Sequence, residues 1–597
     1  MHGNNSRAGV DPIFFAPLVS SLVPARAGGS PTPTFSRATT AYVRDQDGIQ
    51  RAVLTNEARF VGARRVENLL TFTQDFTNAT WGRTNIPVPS SGVADPFGGT
   101  NANKIVDDGT NALHGLSQTA VALTASRTFL WSVYLRAAEQ SNPRVQFADG
   151  ASANGIYATV NLSAGTLTGV TLFGAATGAL SQIQSVDGGY YRVTIGCTMP
   201  SGATANPFTL LYLNDAASYA GAGQGVFAFG GMLQNVTGQS VTTVATYVSK
   251  NVLSAPYQGA NVDGVQYFIS TLAGAAIPAS TLRGFLSEAG NTNWCIWSND
   301  LTNAAWGKGA TMTAALTATG PDGIPNSAST LTATSGVLAT NIVTQAIVRA
   351  SAQRCTSAFV RRRTGSGTIE MTQDAGTTWT VITTTAAWQQ LRIPAQTIAN
   401  PTLGFRITTN GDQIDVWCTQ NEEGAVVNSS PIPTTTVAVA RNVEPLSYPV
   451  AGNYADAAGT CYVEWIYETA VAGSWPIPNV RIVGSDNGPS GALILFPGDA
   501  NVGGVNDGTN AASSVCTAAI NTLIRTITAW QNAGTIEAQA NGGALGSLVT
   551  NTYDGSFSLT EITVGHGVGG VYHGNPIKNL KIFGVKLPAV TRTAMVS

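Results

Sequence analysis

Residues 68–82 read NLLTFTQDFTNATWG, and residues 293–307 read NWCIWSNDLTNAAWG. Asparagine, aspartate, a second asparagine, alanine, tryptophan and glycine fall in the same register in both stretches, without a gap. The register continues further along, where Ser132-Val-Tyr-Leu-Arg136 matches Ser357-Ala-Phe-Val-Arg361. A repeating unit of roughly 150 to 190 residues has the size of a complete domain and is too long for a solenoid repeat. The sequence therefore predicts two tandem copies of one module, an arrangement more typical of proteins that bind or build than of enzymes.

The composition favours strands over helices. Charged residues make up 11% of the chain, less than half of the usual proportion of about 25%. The 65 glycines, with asparagine, favour turns, and threonine and the aromatic residues favour strands. Lysine and glutamate, which favour helices, are scarce. We therefore expect an all-β chain.

At 597 residues the chain is too long for one core, and we expect three or four domains. Short strands with turn signals between them, and no helical periodicity, favour β-sandwiches. The alternating stretch 41–54 predicts a hairpin around Asp47-Gly48. We divide the chain into an N-terminal arm (1–66), module 1 (67–255), a hairpin linker (256–290), module 2 (291–445) and a C-terminal domain (446–597).

The N-terminal arm is poor in core residues. Such a segment is ordinarily mobile unless a partner ties it down, so we expect it to take part in assembly. Residues 12–27 imitate a signal peptide, but Pro12 and Pro17 interrupt the stretch and the basic region before it is weak. We expect that this stretch is not an export signal.

The charge distribution argues against several partners. The formal net charge is -2, and no basic patch is large enough to follow a phosphate backbone, so no nucleic acid partner is expected. The run Arg361-Arg362-Arg363 would alternate faces on a strand, which favours a solvated or intersubunit role. No apolar run approaches the ~20 residues that span a bilayer, so no membrane insertion is expected.

The six cysteines are spread singly, without a C-x-x-C pair. Buried free thiols are the expected interpretation, with a disulfide framework as the alternative. The cysteines of module 2 align with apolar or small residues of module 1. These pairs are Cys295 with Leu70, Cys355 with Leu130, and Cys418 with Gly230.

Catalytic motifs are absent from the sequence. None of the four histidines (His2, His114, His566, His573) lies in a nucleophile motif. His566 and His573 share a glycine-rich loop that offers half of a metal site, although a turn at a sandwich rim is the simpler interpretation. We therefore predict no catalytic residue, no metal site and no cofactor.

Paired carboxylates do not alter that expectation. Asp107-Asp108 and Glu422-Glu423 are neighbours, and neighbours on a strand point to opposite faces. This places them poorly for the joint acid–base work that cleaves a glycosidic bond.

The repeated motif itself offers two interpretations. Trp81 and Trp306 are expected in the core, since large aromatic residues dominate burial, although an exposed tryptophan would stack on a sugar. Asp75-x-x-Asn78 and Asp300-x-x-Asn303 are expected to form Asx turns, with calcium ligation as the alternative.

Three stretches resemble known proteins. Pro33–Val43, followed by Asp47-Gly48, Asn68-Leu-Leu70 and Asp75-Phe76, resembles the N-terminal region of many tailed-bacteriophage virion proteins. Residues 421–434 are similar to the end of that family's carbohydrate-binding-like jelly-roll module, an ending that module 1 keeps poorly. The last domain resembles a concanavalin-like (laminin G-like) sandwich in the motifs Ile562–Gly565, His573-Gly574 and Ile577–Phe583 and in the final Leu587. The resemblance implies tandem β-sandwich (jelly-roll) modules and a lectin-like β-sandwich, preceded by an extended N-terminal arm.

The resemblance also implies a function. We expect a structural virion protein of the tail-fibre or tail-associated type, assembled in the host cytoplasm and displayed on the virion surface, which adheres to host surface polysaccharide. A capsid decoration or head fibre that braces the particle is the alternative, and a depolymerase is a third candidate. Expected partners are other virion proteins of the tail, portal region or capsid, and further copies of the chain in a homotrimer.

We predict functional residues in two groups. Sugar contacts are predicted at loop residues of the last domain, Trp475, Tyr572 and His573. Virion anchoring is predicted at Phe14, Phe15, Phe35 and Arg37.

Overall fold

The chain is all-β, as the sequence predicts: 47% of the residues lie in strands and 2% in helices. The computed structural model divides into two compact units, one of residues 1–63, 259–261 and 277–597, the other of residues 64–258 and 262–276. The structure describes residues 10–597 except 123, 217, 240–245, 253–258, 425–428, 469–479, 485–491, 499–501, 507–510, 516–518, 542–546, 553–558 and 567–573.

Module 1 forms the second unit and is an antiparallel sandwich. Its core takes side chains from both sheets, for example Trp131 from one and Phe147 from the other. One sheet has the order Thr177–Ser185, Tyr191–Thr198, Thr128–Ala137, Gly225–Asn235, Ala102–Val106, Ser90–Val93. The other has the order Thr166–Phe173, Gly155–Asn161, Arg144–Ala148, Phe208–Tyr212, Gly115–Thr119, Gly82–Thr84.

Two short ribbons and a 3₁₀ turn complete this unit. Asn111–Leu113 pairs with Ser218–Ala220, and Asp187–Gly189 forms the 3₁₀ turn. Val265–Phe268, in the predicted hairpin linker, pairs with Arg64–Glu67. This pairing joins residues from the two ends of the module in sequence, and Phe268 packs beside Val66 and Met232.

Module 2 repeats the sandwich within the first unit. The strand Ala352–Thr364 corresponds to Thr128–Ala137, and its Ala358 and Val360 face the core. Its larger sheet has the order Met312–Ala318, Ala328–Ala333, Gln413–Glu423, Ala352–Thr364, Gln389–Arg392, with Gln396–Ile398 also on Ala352–Thr364. The smaller sheet has the order Gly307–Lys308, Ile342–Ala346, Thr402–Ile407, Ile369–Thr372, Thr380–Ile382, and Asn291–Asn293 pairs with Val439–Arg441.

The C-terminal domain forms two further sheets and ends in the helix Ala589–Val596. One sheet has the order Arg26–Ala27, Phe14–Ala16, Ile577–Phe583, Ala458–Tyr467, Thr522–Gln531, Thr535–Asn541, Val549–Thr552, and Gly284–Phe285 joins Ile577–Phe583 to Phe60–Val61. The other has the order Thr34–Phe35, Leu446–Pro449, Leu559–Val564, Val480–Gly484, Ala492–Gly498, Val502–Asn506, Ala511–Val515.

The N-terminal segment supplies strands to both of these sheets. Phe14 pairs with Ile582, and Phe35 pairs with Leu446. Both phenylalanine side chains are buried. The C-terminal domain of the same chain therefore ties down residues 14–35, and a role of this segment in assembly stays a prediction.

The predicted hairpin in this segment is confirmed. Ala41–Arg44 pairs with Gln50–Val53 in antiparallel register. The Asp45 carboxylate accepts hydrogen bonds from the backbone N–H groups of Asp47 and Ile49, at 2.9 and 3.0 Å. Gly48 has a φ of 79°, in the left-handed region that glycine adopts without strain.

Candidate functional site

The repeated asparagine plays one structural role in both modules. Asn68 Nδ2 donates to the carbonyls of Gly231 and Val248, at 3.0 and 2.8 Å, and its Oδ1 accepts from two backbone N–H groups. Asn293 Nδ2 donates to the carbonyls of Thr419 and Ile432, at 3.0 and 2.9 Å, and its Oδ1 likewise accepts from two backbone N–H groups. Each asparagine thus satisfies four buried backbone groups, which supports the duplication.

The repeated tryptophans are core residues. Trp81 and Trp306 are 2% and 1% exposed. Each indole Nε1 donates to the carbonyl of the ninth residue before it, Phe72 or Trp297, at 3.1 Å. The structure therefore places these tryptophans away from solvent, where they cannot stack on a sugar.

The Asx turns predicted at Asp75 and Asp300 are present in both modules. The Asp75 carboxylate accepts from the backbone N–H and hydroxyl of Thr77, and Asp300 does the same with Thr302. Among the described residues, no group of three or more histidine, cysteine, aspartate or glutamate side chains is arranged to hold a metal ion.

The alignment of Cys418 with Gly230 also holds in three dimensions. Both residues lie in a β-bulge of the strand that pairs with the central strand of the sheet, and the φ angles of Cys418 and Gly230 are 49° and 64°. Five of the six cysteines are free and buried, as expected, while Cys516 lies outside the described residues. Burial raises the pKa of the Cys355 thiol to about 11, so it behaves as a small apolar group.

A cleft of about 300 Å³ lies in the first unit, beside the outer face of the larger sheet of module 2. Three aromatic side chains line it: Tyr42 from the N-terminal hairpin, and Phe359 and Trp388 from module 2. Tyr42 and Phe359 pack edge to face on the buried Trp417, with ring centroids 5.9 and 5.4 Å away. Trp388 lies under the guanidinium of Arg361 at 4.8 Å.

Amide side chains supply much of the polar lining. Gln50, Gln389 and Gln390 all line the cleft. Gln390 Nε2 donates to the carbonyl of Ser429 at 2.9 Å. Amide groups both donate and accept hydrogen bonds, as sugar hydroxyls do.

The charged groups of the cleft are paired within the protein. Arg44 Nη2 lies 3.3 Å from Glu468 Oε1, which also faces Arg283 Nε at 3.5 Å. Glu288 Oε2 lies 2.7 Å from Arg59 Nη2 and 3.1 Å from Arg441 Nη1. No ligand charge is needed to balance these pairs.

Glu288 belongs to a buried arginine–glutamate network, which comprises Arg37, Arg59, Arg441, Glu288 and Glu444. Glu444 accepts from Arg37 Nη1 at 2.6 Å and from Arg59 Nε at 2.8 Å. Burial opposes ionisation of Glu288, but the guanidinium groups of Arg441 and Arg59 outweigh it and lower its pKa to about 2. The network thus keeps Glu288 charged.

The network also fixes the wall of the cleft. Arg59 Nη1 donates to the carbonyl of Tyr42 at 2.9 Å and to the hydroxyl of Ser430 at 2.7 Å. Ser430 in turn donates from its backbone N–H and its hydroxyl to Glu288, at 2.8 and 2.6 Å. The N-terminal segment 42–59, Glu288 and Ser430, which are distant in sequence, are therefore joined at one side of the cleft.

Glu422 and Glu423, the last residues of the strand Gln413–Glu423, separate as the strand geometry predicts. Glu422 is fully buried and accepts from Ser429, while Glu423 is paired with Arg354 and Arg349. Burial raises the pKa of Glu422 despite those hydrogen bonds. In module 1 the pair Asp107-Asp108 follows the strand Ala102–Val106 and does not lie on it, so the expectation of opposite strand faces does not apply there. Asp107 is buried and accepts from Tyr219 Oη at 2.8 Å, whereas Asp108 accepts from Thr110.

Two of the four histidines have defined surroundings. His114 is buried, with Nδ1 2.7 Å from the carbonyl of Asn85, and with Nε2 3.2 Å from the carbonyls of Thr110 and Tyr219. Carbonyls only accept, so these surroundings favour the charged imidazolium, in which both nitrogens donate, and they raise the pKa of His114. The Asp108 carboxylate, 3.6 Å from Nδ1, favours the same form. His566 Nε2 lies 3.1 Å from the carbonyl of Leu446.

The predicted site residues have different outcomes. Trp475, Tyr572 and His573 lie outside the described residues, and their sugar contacts stay a prediction. Phe14, Phe35 and Arg37 are buried in contacts within the chain, and Phe15 lies beside the Lys581 ammonium. The anchoring role stays a prediction for these four.

The run of three arginines at 361–363 forms ion pairs within module 2. Its partners are Asp415, which pairs with Arg361 and Arg363, and Asp412, which pairs with Arg362.

The cleft residues are absent from the sequence-based candidates. Tyr42, Trp388 and Glu468 stand in three segments, and no motif links them. The hairpin predicted around Asp47-Gly48 does bring Tyr42 and Gln50 to one ribbon, but it does not indicate that this ribbon meets Trp388.

Comparisons with known proteins add little at the level of family. The scan against family models gives no match, and the search of curated proteins gives none. Among solved structures, the N-terminal CBM22-1–CBM22-2 tandem domain of Paenibacillus barcinonensis Xyn10C is similar at 10% identity and a TM-score of 0.20, over 60% of this chain and 98% of that one. At that level the likeness says nothing about what this chain binds. Within the described residues no helix is long and apolar enough to cross a bilayer.

Proposed function

We propose that the chain is a non-enzymatic structural protein of a tailed-bacteriophage virion, of the tail-fibre or tail-associated type, and that it adheres to host surface glycans. The observation that carries the adhesive part is the cleft of the first unit, lined by Tyr42, Phe359 and Trp388 together with three glutamines. Aromatic rings and amides are the side chains that contact sugar rings and hydroxyls.

The virion part rests on the sequence resemblance. The stretch 33–48 carries it at the N-terminus, and the tandem duplication fits a protein that builds and binds. A homotrimer on the virion surface, in contact with tail, portal-region or capsid proteins, belongs to the same proposal.

Localisation on intact virions tests the virion part. Gold-labelled antibody against the C-terminal domain is expected to mark the tail end of the particle. Label spread over the head would replace adhesion with a bracing role, and no label on purified particles would reject the virion assignment.

A separate experiment tests adhesion. Purified chain is applied to a printed array of neutral and acidic oligosaccharides, and binding above the level of a heat-unfolded sample is expected. Release of reducing ends from the bound glycans would contradict the non-enzymatic role.

A further inference from the structure

We infer that the cleft binds an uncharged sugar ring, with Trp388 and Tyr42 as its stacking surfaces. This inference rests on the proposed glycan adhesion and adds the site and the class of sugar. It concerns residues 42–50, 388–390 and 430, all within the first unit.

The size of the cleft suits a small ligand. Its volume of about 300 Å³ lies at the lower end of the roughly 300 to 1,000 Å³ typical of ligand sites. A site of this size accommodates the end or a short stretch of a glycan rather than a folded partner.

The aromatic side chains are fixed before a ligand arrives. Tyr42 is braced edge to face against Trp417, and Trp388 by the guanidinium of Arg361. Both rings are only partly buried and line the cleft. Ordered rings lose little conformational freedom on binding, so their contact area contributes efficiently to affinity.

The charge distribution favours an uncharged ligand. The lining contains two carboxylates, Glu288 and Glu468, and one guanidinium, Arg44. Each of these groups already has an oppositely charged partner within the chain. Among the described residues of the lining there is no unpaired cation to receive the carboxylate of a uronic or sialic acid, and like charges repel.

The state of Glu288 favours binding over cleavage. Glycoside hydrolysis needs a carboxylic acid that holds its proton near neutral pH. The neighbouring guanidinium groups act against burial and keep Glu288 ionised, and its oxygens accept from Ser430 and Arg59. This carboxylate therefore serves as a fixed acceptor that orients the cleft wall.

The test compares two tryptophans of module 2. Trp388 lines the cleft under Arg361, and Trp379 lies under Arg406 at 4.4 Å and is absent from the cleft lining. Both are partly buried, so the substitutions Trp388→Ala and Trp379→Ala remove similar contacts. The full-length chain is probed on an array of neutral hexose and N-acetylhexosamine oligosaccharides with uronic-acid and sialic-acid counterparts, and the strongest binder is then titrated by calorimetry.

The expected result is binding to a neutral oligosaccharide that Trp388→Ala weakens at least tenfold and Trp379→Ala leaves unchanged. In the native chain the amide oxygen of Gln389 accepts from the backbone N–H of Thr385. The substitution Gln389→Ala is expected to weaken binding several-fold, and it replaces Trp388→Ala as the test if that variant fails to fold.

Two results overturn the inference while leaving glycan adhesion intact. One is wild-type affinity in folded Trp388→Ala and Gln389→Ala. The other is preferential binding of the acidic counterparts. If the wild-type chain binds no oligosaccharide on the array, the proposed adhesion itself fails, and the inference fails with it.

Discussion

Modules 1 and 2 share a buried frame and differ on one outer face. The frame consists of equivalent side chains that bond the backbone, such as Asn68 and Asn293. On the outer face of module 1, Tyr134 and Phe229 pack against Tyr247 of the same module. On the corresponding face of module 2, Trp417 packs against Phe359 and against Tyr42 of the N-terminal hairpin, and the cleft lies beside these rings.

The difference shows which positions a duplicated fold can vary. A side chain that satisfies several buried backbone groups cannot change without leaving them unpaired. An outer-face residue needs only a neighbour that covers it, and that neighbour can come from a different part of the chain. In module 2 the hairpin 41–53 takes the place that Tyr247 has in module 1, and the cleft lies between this hairpin and the sheet.

The largest expected effect tests the shared frame. Asn68→Ala and Asn293→Ala each leave four buried backbone groups without partners, so each should lower the free energy of unfolding of its own unit by about 3–5 kcal/mol. Urea unfolding followed by hydrogen exchange in each unit measures both. Asn78→Ala, which removes one exposed hydrogen bond, is the control and should cost about 1 kcal/mol or less.

The two asparagine substitutions should lower the free energy of unfolding by similar amounts. A difference of more than about 2 kcal/mol between them would contradict the equivalence of the buried frames of modules 1 and 2.

The second expected effect separates two glutamates beside the cleft. The folded-state pKa of Glu288 is about 2, below the ordinary 4.5, so its contribution is present above pH 4.5 and is lost as the pH falls toward 2. Glu288→Gln should therefore lower the free energy of unfolding at pH 7 by about 3 kcal/mol, and by little at pH 2.

Glu422 should behave in the opposite way. Burial raises its pKa, so its stabilising contribution is present below the ordinary value and is lost as the pH rises through the folded-state value. Glu422→Gln is expected to raise the free energy of unfolding at pH 7. The free energy of unfolding of both variants and of the wild-type chain, measured from pH 3 to pH 8, tests this contrast. If the effects of the two substitutions on that free energy changed with pH in the same direction, the described contacts would be contradicted.

The third effect concerns a position where the modules carry different residues. His114 in module 1 aligns with Asn341 in module 2, each four residues before the matching glutamines Gln118 and Gln345. Burial alone would lower the pKa of His114, but the carbonyls of Asn85, Tyr219 and Thr110 raise it above its ordinary 6.5.

The stabilisation from the imidazolium is therefore present below pH 6.5 and is lost as the pH rises through the folded-state value. His114→Gln should cost the second unit about 2 kcal/mol at pH 5.5 and less at pH 9. Thermal unfolding across that range measures it, and an equal cost at both pH values would show that the imidazole is neutral.

The smallest effect tests the matched bulge. An alanine Cβ at Gly230 would lie 3.0 Å from the Tyr134 ring at a positive φ, so Gly230→Ala should cost about 1–2 kcal/mol. Cys418→Gly removes the strain of a positive φ together with a buried thiol, and the two effects should offset to within about 1 kcal/mol. Chemical unfolding of both variants provides the comparison. A larger loss from Cys418→Gly than from Gly230→Ala would contradict the shared bulge geometry.

The sequence predicts a large part of the fold because its signals are local. The duplicated motif, the hairpin around Asp47-Gly48 and the core position of Trp81 and Trp306 all follow from neighbouring residues. The pairing of Phe14 with Ile582 does not, since a three-residue strand carries no information about a partner at the other end of the chain. The sequence of the N-terminal arm therefore does not reveal that the C-terminal domain pairs with it.

The candidate site escapes sequence reasoning for a similar reason. Tyr42, Trp388 and Glu468 come together only after strands far apart in sequence have paired. A lone partly buried tryptophan such as Trp388 has the same sequence pattern as a core residue. The charge state of Glu288 depends on Arg59 and Arg441, which no spacing rule connects to it.

Hydrogen–deuterium exchange with and without the strongest binding neutral oligosaccharide tests the central claim most directly. Sugar in the cleft is expected to protect backbone amides in residues 41–50 and 386–392, and to leave residues 128–137 and 225–235 of module 1 unchanged. Protection on the strands of module 1, or none at the hairpin 41–53, would contradict a binding site created where the two copies differ.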